Sequence, residues 1–92
     1  MMELKTTAQF KKDYKRCKKR GLDMKKLGSV IDSLLAGEAL DAKYRDHALT
    51  GNYTGFRECH IQPDWLLIYM ADQNTLVLTA VRTGSHSELL QK

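Results

Sequence analysis

The segment Cys59-His60-Ile61-Gln62-Pro63-Asp64-Trp65-Leu66-Leu67-Ile68-Tyr69 joins two polar side chains to a long apolar run. Its second half, which begins at Trp65, is apolar and aromatic, as is typical of a buried central strand. Its first half places His60 and Asp64 around Pro63, which interrupts the preceding strand. Side chains at the end of a rigid strand suit a site that needs fixed geometry.

The flanking sequence predicts the element order β-α-α-β-β-β in a single domain spanning residues 1–92. The predicted strands span 2–6, 55–61, 65–70 and 75–81, and the predicted helices span 8–20 and 24–36. The polar, irregular stretch between the second helix and the second strand is predicted to be a functional loop. A short helix is expected after Ser85, through Leu90. The pattern therefore predicts an α+β fold, in which an N-terminal helical hairpin packs on a small antiparallel β-sheet.

Positive charge is concentrated near the N-terminus. Residues 1–26 carry ten Lys or Arg and three acids, whereas residues 27–92 carry five Lys or Arg and eight acids. A basic helix predicts a polyanion partner, most often RNA or DNA, and the alternative is a solvated helix face. The apolar stripe of this helix is too narrow to favour a membrane surface. The candidate RNA-binding lysines are Lys11, Lys15, Lys18 and Lys19.

The sequence also predicts a cytoplasmic protein. No apolar run approaches the ~20 residues that a membrane span needs, and the N-terminal residues lack the apolar core of a signal peptide. The two cysteines, Cys17 and Cys59, are expected to be reduced thiols.

All three histidines lie in the second half of the chain, each beside a turn. Histidine gives and takes protons near neutral pH, so His47, His60 and His86, with Asp64, predict a shared acid–base site. Such a site can cleave RNA without a metal: a base removes the 2′-OH proton, the oxygen attacks phosphorus, and an acid protonates the 5′-oxygen. Arg82 is the candidate phosphate ligand, because a guanidinium group matches phosphate oxygens bidentately.

The same residues allow other interpretations. A metal site would use the histidines and Asp64, but the chain lacks close ligand pairs such as H-E-x-x-H, so neither a metal nor another cofactor is predicted. A Cys59–His60 nucleophile pair is excluded, because neighbours on a strand point to opposite faces. A nucleic-acid-binding module that does not cleave remains open. It would explain the lysines and Trp65, whose indole either stacks on a base or lies in the core.

Three motifs resemble the YafQ branch of the RelE/ParE toxin superfamily. They are Tyr44-Arg45-Asp46-His47-Ala48-Leu49-Thr50-Gly51, Gly55-Phe56-Arg57-Glu58 with the segment quoted above, and Arg82-Thr83-Gly84-Ser85-His86. The resemblance implies the toxin of a bacterial type II toxin–antitoxin pair. Such toxins are metal-independent endoribonucleases that cleave mRNA in the ribosomal A site and so inhibit translation. The implied partners are a cognate antitoxin protein, the ribosome, mRNA and, through the antitoxin complex only, operator DNA.

The family's functional positions match residues already singled out. The implied catalytic residues are His47, His60, Asp64 and His86, with Arg82 as a phosphate-binding partner and Trp65 beside them. His86 is favoured as the general acid, and either His60 or Asp64 as the base. A ParE-like gyrase inhibitor is the alternative within the superfamily, although the histidine set argues against it.

Two positions depart from the family pattern. Ala48 stands where proline is usual, which predicts a less rigid loop around His47. Leu90 stands where an aromatic residue is usual. Neither change removes a proton-transfer group, so an active enzyme is predicted.

Overall fold

A computed structural model describes residues 1–89, which form a five-stranded sheet, two long helices and one short helix. The strands are β1 (Glu3–Thr6), β2 (His47–Ala48), β3 (Arg57–Gln62), β4 (Trp65–Asp72) and β5 (Val77–Gly84). The helices are α1 (Ala8–Lys19), α2 (Met24–Leu35) and α3 (His86–Leu89). The α+β prediction is confirmed, whereas the expectation about Leu90 falls outside the described residues. None of the helices within residues 1–89 has the length and apolar character needed to cross a membrane.

The two long helices begin and end where the sequence predicts. The Thr7 hydroxyl accepts the Phe10 N–H at 2.9 Å, and the Asp23 carboxylate accepts the Lys25 N–H at 3.1 Å, so each side chain caps a helix. Gly21 ends α1 with a φ of 83°, a left-handed conformation that glycine adopts without a Cβ clash. This turn connects α1 to α2 and so forms the helical hairpin.

The sheet has the strand order β1-β5-β4-β3-β2 and is mixed. The neighbours from β2 to β5 are antiparallel, as predicted, but β1 pairs in parallel with β5, from Glu3 opposite Val77 to Thr6 opposite Ala80. The prediction of a wholly antiparallel sheet is therefore wrong at this edge. The helical hairpin carries the chain away from β1 before the meander forms, which leaves β1 to pair with the outer strand of that meander.

Two further predictions need correction. The loop before β3 contains β2, in which His47 and Ala48 pair with Glu58 and Arg57. Pairing with β3 fixes the backbone around His47, so this segment does not depend on a proline for its shape. Strand β5 extends to Gly84 instead of ending at Val81, because the backbone pairing with β4 continues to Leu66.

Each face of the sheet covers its own cluster of buried side chains. Helices α1 and α2 cover the larger cluster, which includes Phe10, Leu27, Ile31, Cys59, Trp65, Leu67, Tyr69 and Leu78. On the opposite face Leu66 and Ile68 pack against Leu89 of α3. Because side chains alternate along a strand, Glu58 and His60 lie on this second face, away from Cys59 and the helical hairpin.

Asp13 joins α1 to β5 from a fully buried position. Its carboxylate accepts hydrogen bonds from Arg82 Nε at 2.8 Å, Arg82 Nη2 at 3.2 Å and the Thr83 N–H at 3.2 Å. Gln9 and Arg16, from its own helix, donate to the same group. Burial alone would raise the pKa of Asp13, but these hydrogen bonds, Arg82 first, lower it below its usual value. Asp13 therefore provides a hydrogen-bond acceptor for a backbone N–H of β5, that of Thr83, beyond the point where β1 ends.

Candidate active site

Strands β2 and β3 bring His47, Glu58 and His60 together. His47 lies directly opposite Glu58 across the strand pair, and His60 follows Glu58 by two residues on the same face. Glu58 Oε2 is 3.4 Å from Nε2 of both histidines. The other nitrogen of His47, Nδ1, donates to the Arg45 carbonyl oxygen at 2.6 Å, which fixes the orientation of that ring.

Strands β4 and β5 bring Asp64 and His86 together. The start of β4 pairs with the end of β5, where Leu66 lies opposite Gly84, so residues just outside the pair become neighbours. Asp64 Oδ1 accepts the backbone N–H of His86 at 3.0 Å and lies 2.9 Å from His86 Nδ1. The His86 ring centroid is 5.5 Å from that of His60, so both pairs of residues form one site.

The carboxyl of Asp64 is ionised at neutral pH. The backbone N–H of His86, followed by its ring, lowers the pKa of Asp64 below its usual range. Asp64 is exposed, so the hydrogen bonds to the anion and not burial determine this shift. A carboxylate with a low pKa is a weak base, so it is better suited to orienting His86 than to removing a proton.

His86 is held in place by the first turn of α3. The Ser85 hydroxyl accepts the Glu88 N–H at 3.2 Å, and the Glu88 carboxylate accepts the Ser85 N–H at 2.9 Å, which is a reciprocal capping box. Glu88 also pairs with Arg16 at 2.9 Å and with Arg20 at 3.0 Å. Helix α1 therefore braces the turn that carries His86.

Glu58 is a site residue that sequence reasoning missed. It is only 4% exposed, and within residues 1–89 its Oε1 atom has no hydrogen-bond partner. A buried carboxylate oxygen without a partner is costly unless a ligand or a proton completes it. The signal was present in the sequence, because Glu58 and His60 are two apart on a predicted strand and therefore share a face.

The structure places Arg82 in a different environment from the one expected for a free phosphate ligand. Its Nε and Nη2 atoms donate to Asp13, and this ion pair raises the pKa of the Arg82 guanidinium. The contacts described here do not join Arg82 to the histidines. Its Nη1 atom is the part of the guanidinium that Asp13 does not engage.

Trp65 does not occupy the base-stacking position. The side chain is 2% exposed within the core under the helical hairpin, and its Nε1–H donates to Thr83 Oγ1 at 2.9 Å. Because both faces of the indole pack against protein, a base cannot stack on it in this structure. The core interpretation of Trp65 therefore replaces the stacking interpretation. The four candidate lysines of α1, by contrast, are all exposed: Lys11, Lys15, Lys18 and Lys19.

Three of the site's side chains could hold a metal ion. Ligand atoms of Glu58, His60 and His86 all lie within 4.8 Å of one another. They come from two separate segments of the chain. A search of the sequence for closely spaced ligand pairs therefore does not find all three. Imidazole and carboxylate groups in this arrangement suit zinc, copper or nickel. The expectation that the protein needs no metal stays a prediction.

Comparison with known proteins identifies the family to which the chain belongs. Residues 2–91 match the model of a family described as a bacterial toxin of type II toxin–antitoxin system, YafQ. The chain is 38% identical to the mRNA interferase toxin YafQ of Escherichia coli strain K12 over 88 residues, which cover 95% of this chain and 94% of that protein.

Solved structures give the same result. A metal-bound toxin from Helicobacter pylori superposes with a TM-score of 0.91 at 44% identity, covering 97% of this chain and 99% of that chain. YafQ in the E. coli DinJ–YafQ complex superposes with a TM-score of 0.88 at 37% identity, covering 97% of this chain and 98% of that chain. With the family match extending over nearly every residue, the chain belongs to the YafQ family of bacterial type II toxins.

Proposed function

We propose that this protein is a ribosome-dependent endoribonuclease that cleaves translated mRNA and so inhibits translation. The observation that carries the proposal is the 5.5 Å separation of the His60 and His86 rings, with one carboxylate beside each ring. Two imidazoles at this distance can act on opposite sides of one phosphodiester. The curated relative from E. coli is named an mRNA interferase, which is consistent with this chemistry.

In this mechanism His60 is the general base and His86 is the general acid. The low pKa of Asp64 makes it a poor base, which favours His60 for removing the 2′-OH proton. Asp64 engages Nδ1 of His86, so Nε2 is the nitrogen that would protonate the leaving 5′-oxygen. His47 shares Glu58 with His60 and orients that pair. The attacking 2′-oxygen forms a bond to phosphorus as the bond to the 5′-oxygen breaks.

Charge on the phosphate would be stabilised by cationic groups around the site. Arg82 can offer Nη1 while Asp13 holds the rest of the guanidinium rigid. The four candidate lysines of α1, Lys11, Lys15, Lys18 and Lys19, would contact the phosphates of a larger RNA, which includes ribosomal RNA. These residues therefore serve binding and charge stabilisation, whereas the histidines transfer protons.

The ends of the cleaved RNA test this mechanism. Attack by the 2′-oxygen leaves a 2′,3′-cyclic phosphate and a 5′-hydroxyl, so we expect these ends on a reporter mRNA incubated with the purified protein and translating ribosomes. A matched reporter without a start codon should remain intact. A 2′-deoxynucleotide at the cleavage position should abolish the cut, because it removes the nucleophile. Cleavage of both reporters would contradict ribosome dependence, and cleavage at the deoxynucleotide would contradict 2′-OH attack.

Growth arrest without any RNA cleavage would instead support the gyrase-inhibiting or the non-cleaving binding alternative. Supercoiling of plasmid DNA in the same cells distinguishes these two, because only gyrase inhibition relaxes it. The location follows from the proposal: the protein acts in the cytoplasm, where mRNA is translated.

We also propose that a transition metal can occupy the site and inhibit it. Glu58, His60 and His86 supply three ligand atoms, and the similar H. pylori toxin is a metal-bound protein. A metal there would occupy the imidazoles that are proposed to transfer protons. We expect Zn²⁺ to bind the purified protein in calorimetry and to lower its cleavage rate until a zinc-selective chelator is added.

Glu58→Gln should weaken Zn²⁺ binding by roughly tenfold or more, because it removes one ligand. His47→Gln is the matched control, since His47 contacts Glu58 but lies outside the three-ligand cluster. Equal affinities in wild type and Glu58→Gln would contradict this site.

The protein is also proposed to bind a cognate antitoxin. The related E. coli toxin has been solved in complex with DinJ, and this chain superposes on that toxin over almost its full length. Contact with operator DNA would then occur only through the antitoxin complex.

A further inference from the structure

A second feature of the surface opens directly from the candidate active site. It is a cleft of about 690 Å³ between the first half of α2, the turn at residues 43–45 and the end of β3. His60 lies in its wall together with Ile61, Gln62 and Pro63. His60, the residue proposed as the general base, therefore lies between this cleft and the candidate active site.

The cleft is strongly cationic. Lys25, Lys26, Lys43 and Arg45 line it and are all exposed. Among the described residues that line it, none is Asp or Glu. The cleft thus has at least four positive charges that its own wall does not neutralise, which favours an anionic chain as the occupant.

Two of these charges are placed against local preference. Lys25 and Lys26 lie in the first turn of α2, where the helix dipole is positive and an acidic residue is usual. Cations in this turn oppose the helix dipole, an effect that the Asp23 N-cap offsets, so helix stability does not itself require Lys25 or Lys26. Positions that break a local rule are often functional.

The turn at residues 43–45 connects the cleft to the catalytic histidines. Arg45 has a φ of 50°, an uncommon conformation for a residue other than glycine. Arg45 lines the cleft, and its carbonyl oxygen accepts the Nδ1–H of His47. Lys43 and Tyr44 both line the cleft, and the ammonium of Lys43 lies 5.2 Å from the centroid of the Tyr44 ring. The wall of the cleft therefore includes an aromatic residue.

From these observations we infer that the cleft binds the phosphates of single-stranded RNA next to the scissile bond, through Lys25, Lys26, Lys43 and Arg45. This inference rests on the proposed function for its assignment of His60. An RNA strand is favoured over an acidic protein segment because the cleft borders His60, which is proposed to act on a phosphodiester. The cleft would extend the RNA-binding surface of the protein beyond the lysines of α1.

The test measures RNA binding without cleavage. A fluorescent single-stranded RNA is titrated with the full-length chain in a His86→Gln background, and the affinity is measured over a range of salt concentrations. Each lost phosphate contact should lower the slope of log affinity against log salt by about 0.7. Lys25→Gln/Lys26→Gln should therefore reduce the slope by about 1.4, and at about 0.1 M salt this corresponds to roughly 25-fold weaker binding.

The matched control is Lys5→Gln/Lys12→Gln. It makes the same change in net charge at two exposed lysines that do not line the cleft. Equal losses in the two double variants would overturn the inference, because they would show a general charge effect. Unchanged RNA affinity with weaker antitoxin binding would also overturn it and would assign the cleft to the antitoxin.

The inference and the proposed function fail separately. If the wild-type protein cleaves mRNA but the cleft variants bind RNA normally, the cleft inference is wrong and the ribonuclease stands. If RNA binding depends on the cleft but no cleavage occurs under any condition, the ribonuclease is wrong and the cleft remains an RNA-binding site.

Discussion

His86→Gln is expected to lower the rate of mRNA cleavage by roughly 10²–10⁴-fold, the usual contribution of a positioned general acid. The fold should survive, because the His86 side chain is half exposed and the Glu88 carboxylate caps the turn by accepting the Ser85 N–H. The rate is measured in a single turnover on translating ribosomes, and stability is measured by thermal unfolding. Ser87→Ala, at the neighbouring exposed position, should retain cleavage.

A modified substrate separates proton donation from simple positioning. Sulfur in place of the leaving 5′-oxygen departs without protonation, so an RNA with this 5′-phosphorothiolate linkage does not need a general acid. We expect the His86→Gln protein to cleave it at close to the wild-type rate. A variant that remains slow on the sulfur substrate would show that His86 positions the RNA and does not protonate it.

Asp13→Asn is expected to lower the free energy of unfolding by about 2–3 kcal/mol, because Asp13 is fully buried and forms charge-assisted hydrogen bonds with Arg82. The amide cannot accept all of these bonds and leaves the guanidinium without its partner charge. Urea unfolding at neutral pH measures the loss. Asp32→Asn makes the same chemical change at an exposed position of α2 and should cost little.

The stabilisation by Asp13 should also depend on pH. Its pKa is lowered in the folded protein, so the stabilisation is complete above about pH 4, the ordinary carboxyl range, and is lost as pH falls through the lower folded-state pKa. The difference in stability between wild type and Asp13→Asn should therefore narrow in acid. A constant difference, or one as small as that of Asp32→Asn, would contradict the buried ion pair.

Local patterns predicted most of the elements because local chemistry determines them. Thr7 and Asp23 cap their helices by contacts within a few residues, and the alternation around His60 follows from the geometry of a single strand. The pairing of β1 with β5 was not predictable in this way. It depends on which edge of the meander the hairpin returns to, and no local residue pattern encodes that choice.

The candidate site likewise combines features that local sequence predicts with features that depend on distant strand pairing. Asp64 and His86 were identified as residue types, but their 2.9 Å contact depends on the register of β4 against β5. Asp13 was missed because it lies among lysines on a helix that looks solvated, and its partner Arg82 is far away in sequence. For Trp65 the sequence allows both a base-stacking and a core position, because it does not determine which face of a strand end is buried.

The parallel pairing of β1 with β5 joins the two ends of the described chain, so the complete sheet needs both of them. Glu3 pairs with Val77, so the sheet cannot close until nearly all of the residues described here have been synthesised. Contacts this distant in sequence form slowly, because the intervening chain must first be brought together. His86 follows β5 directly, so a partly synthesised chain has neither a complete sheet nor both histidines of the proposed catalytic pair. If the protein acts on translating ribosomes as proposed, this topology delays its activity until its own synthesis is nearly finished.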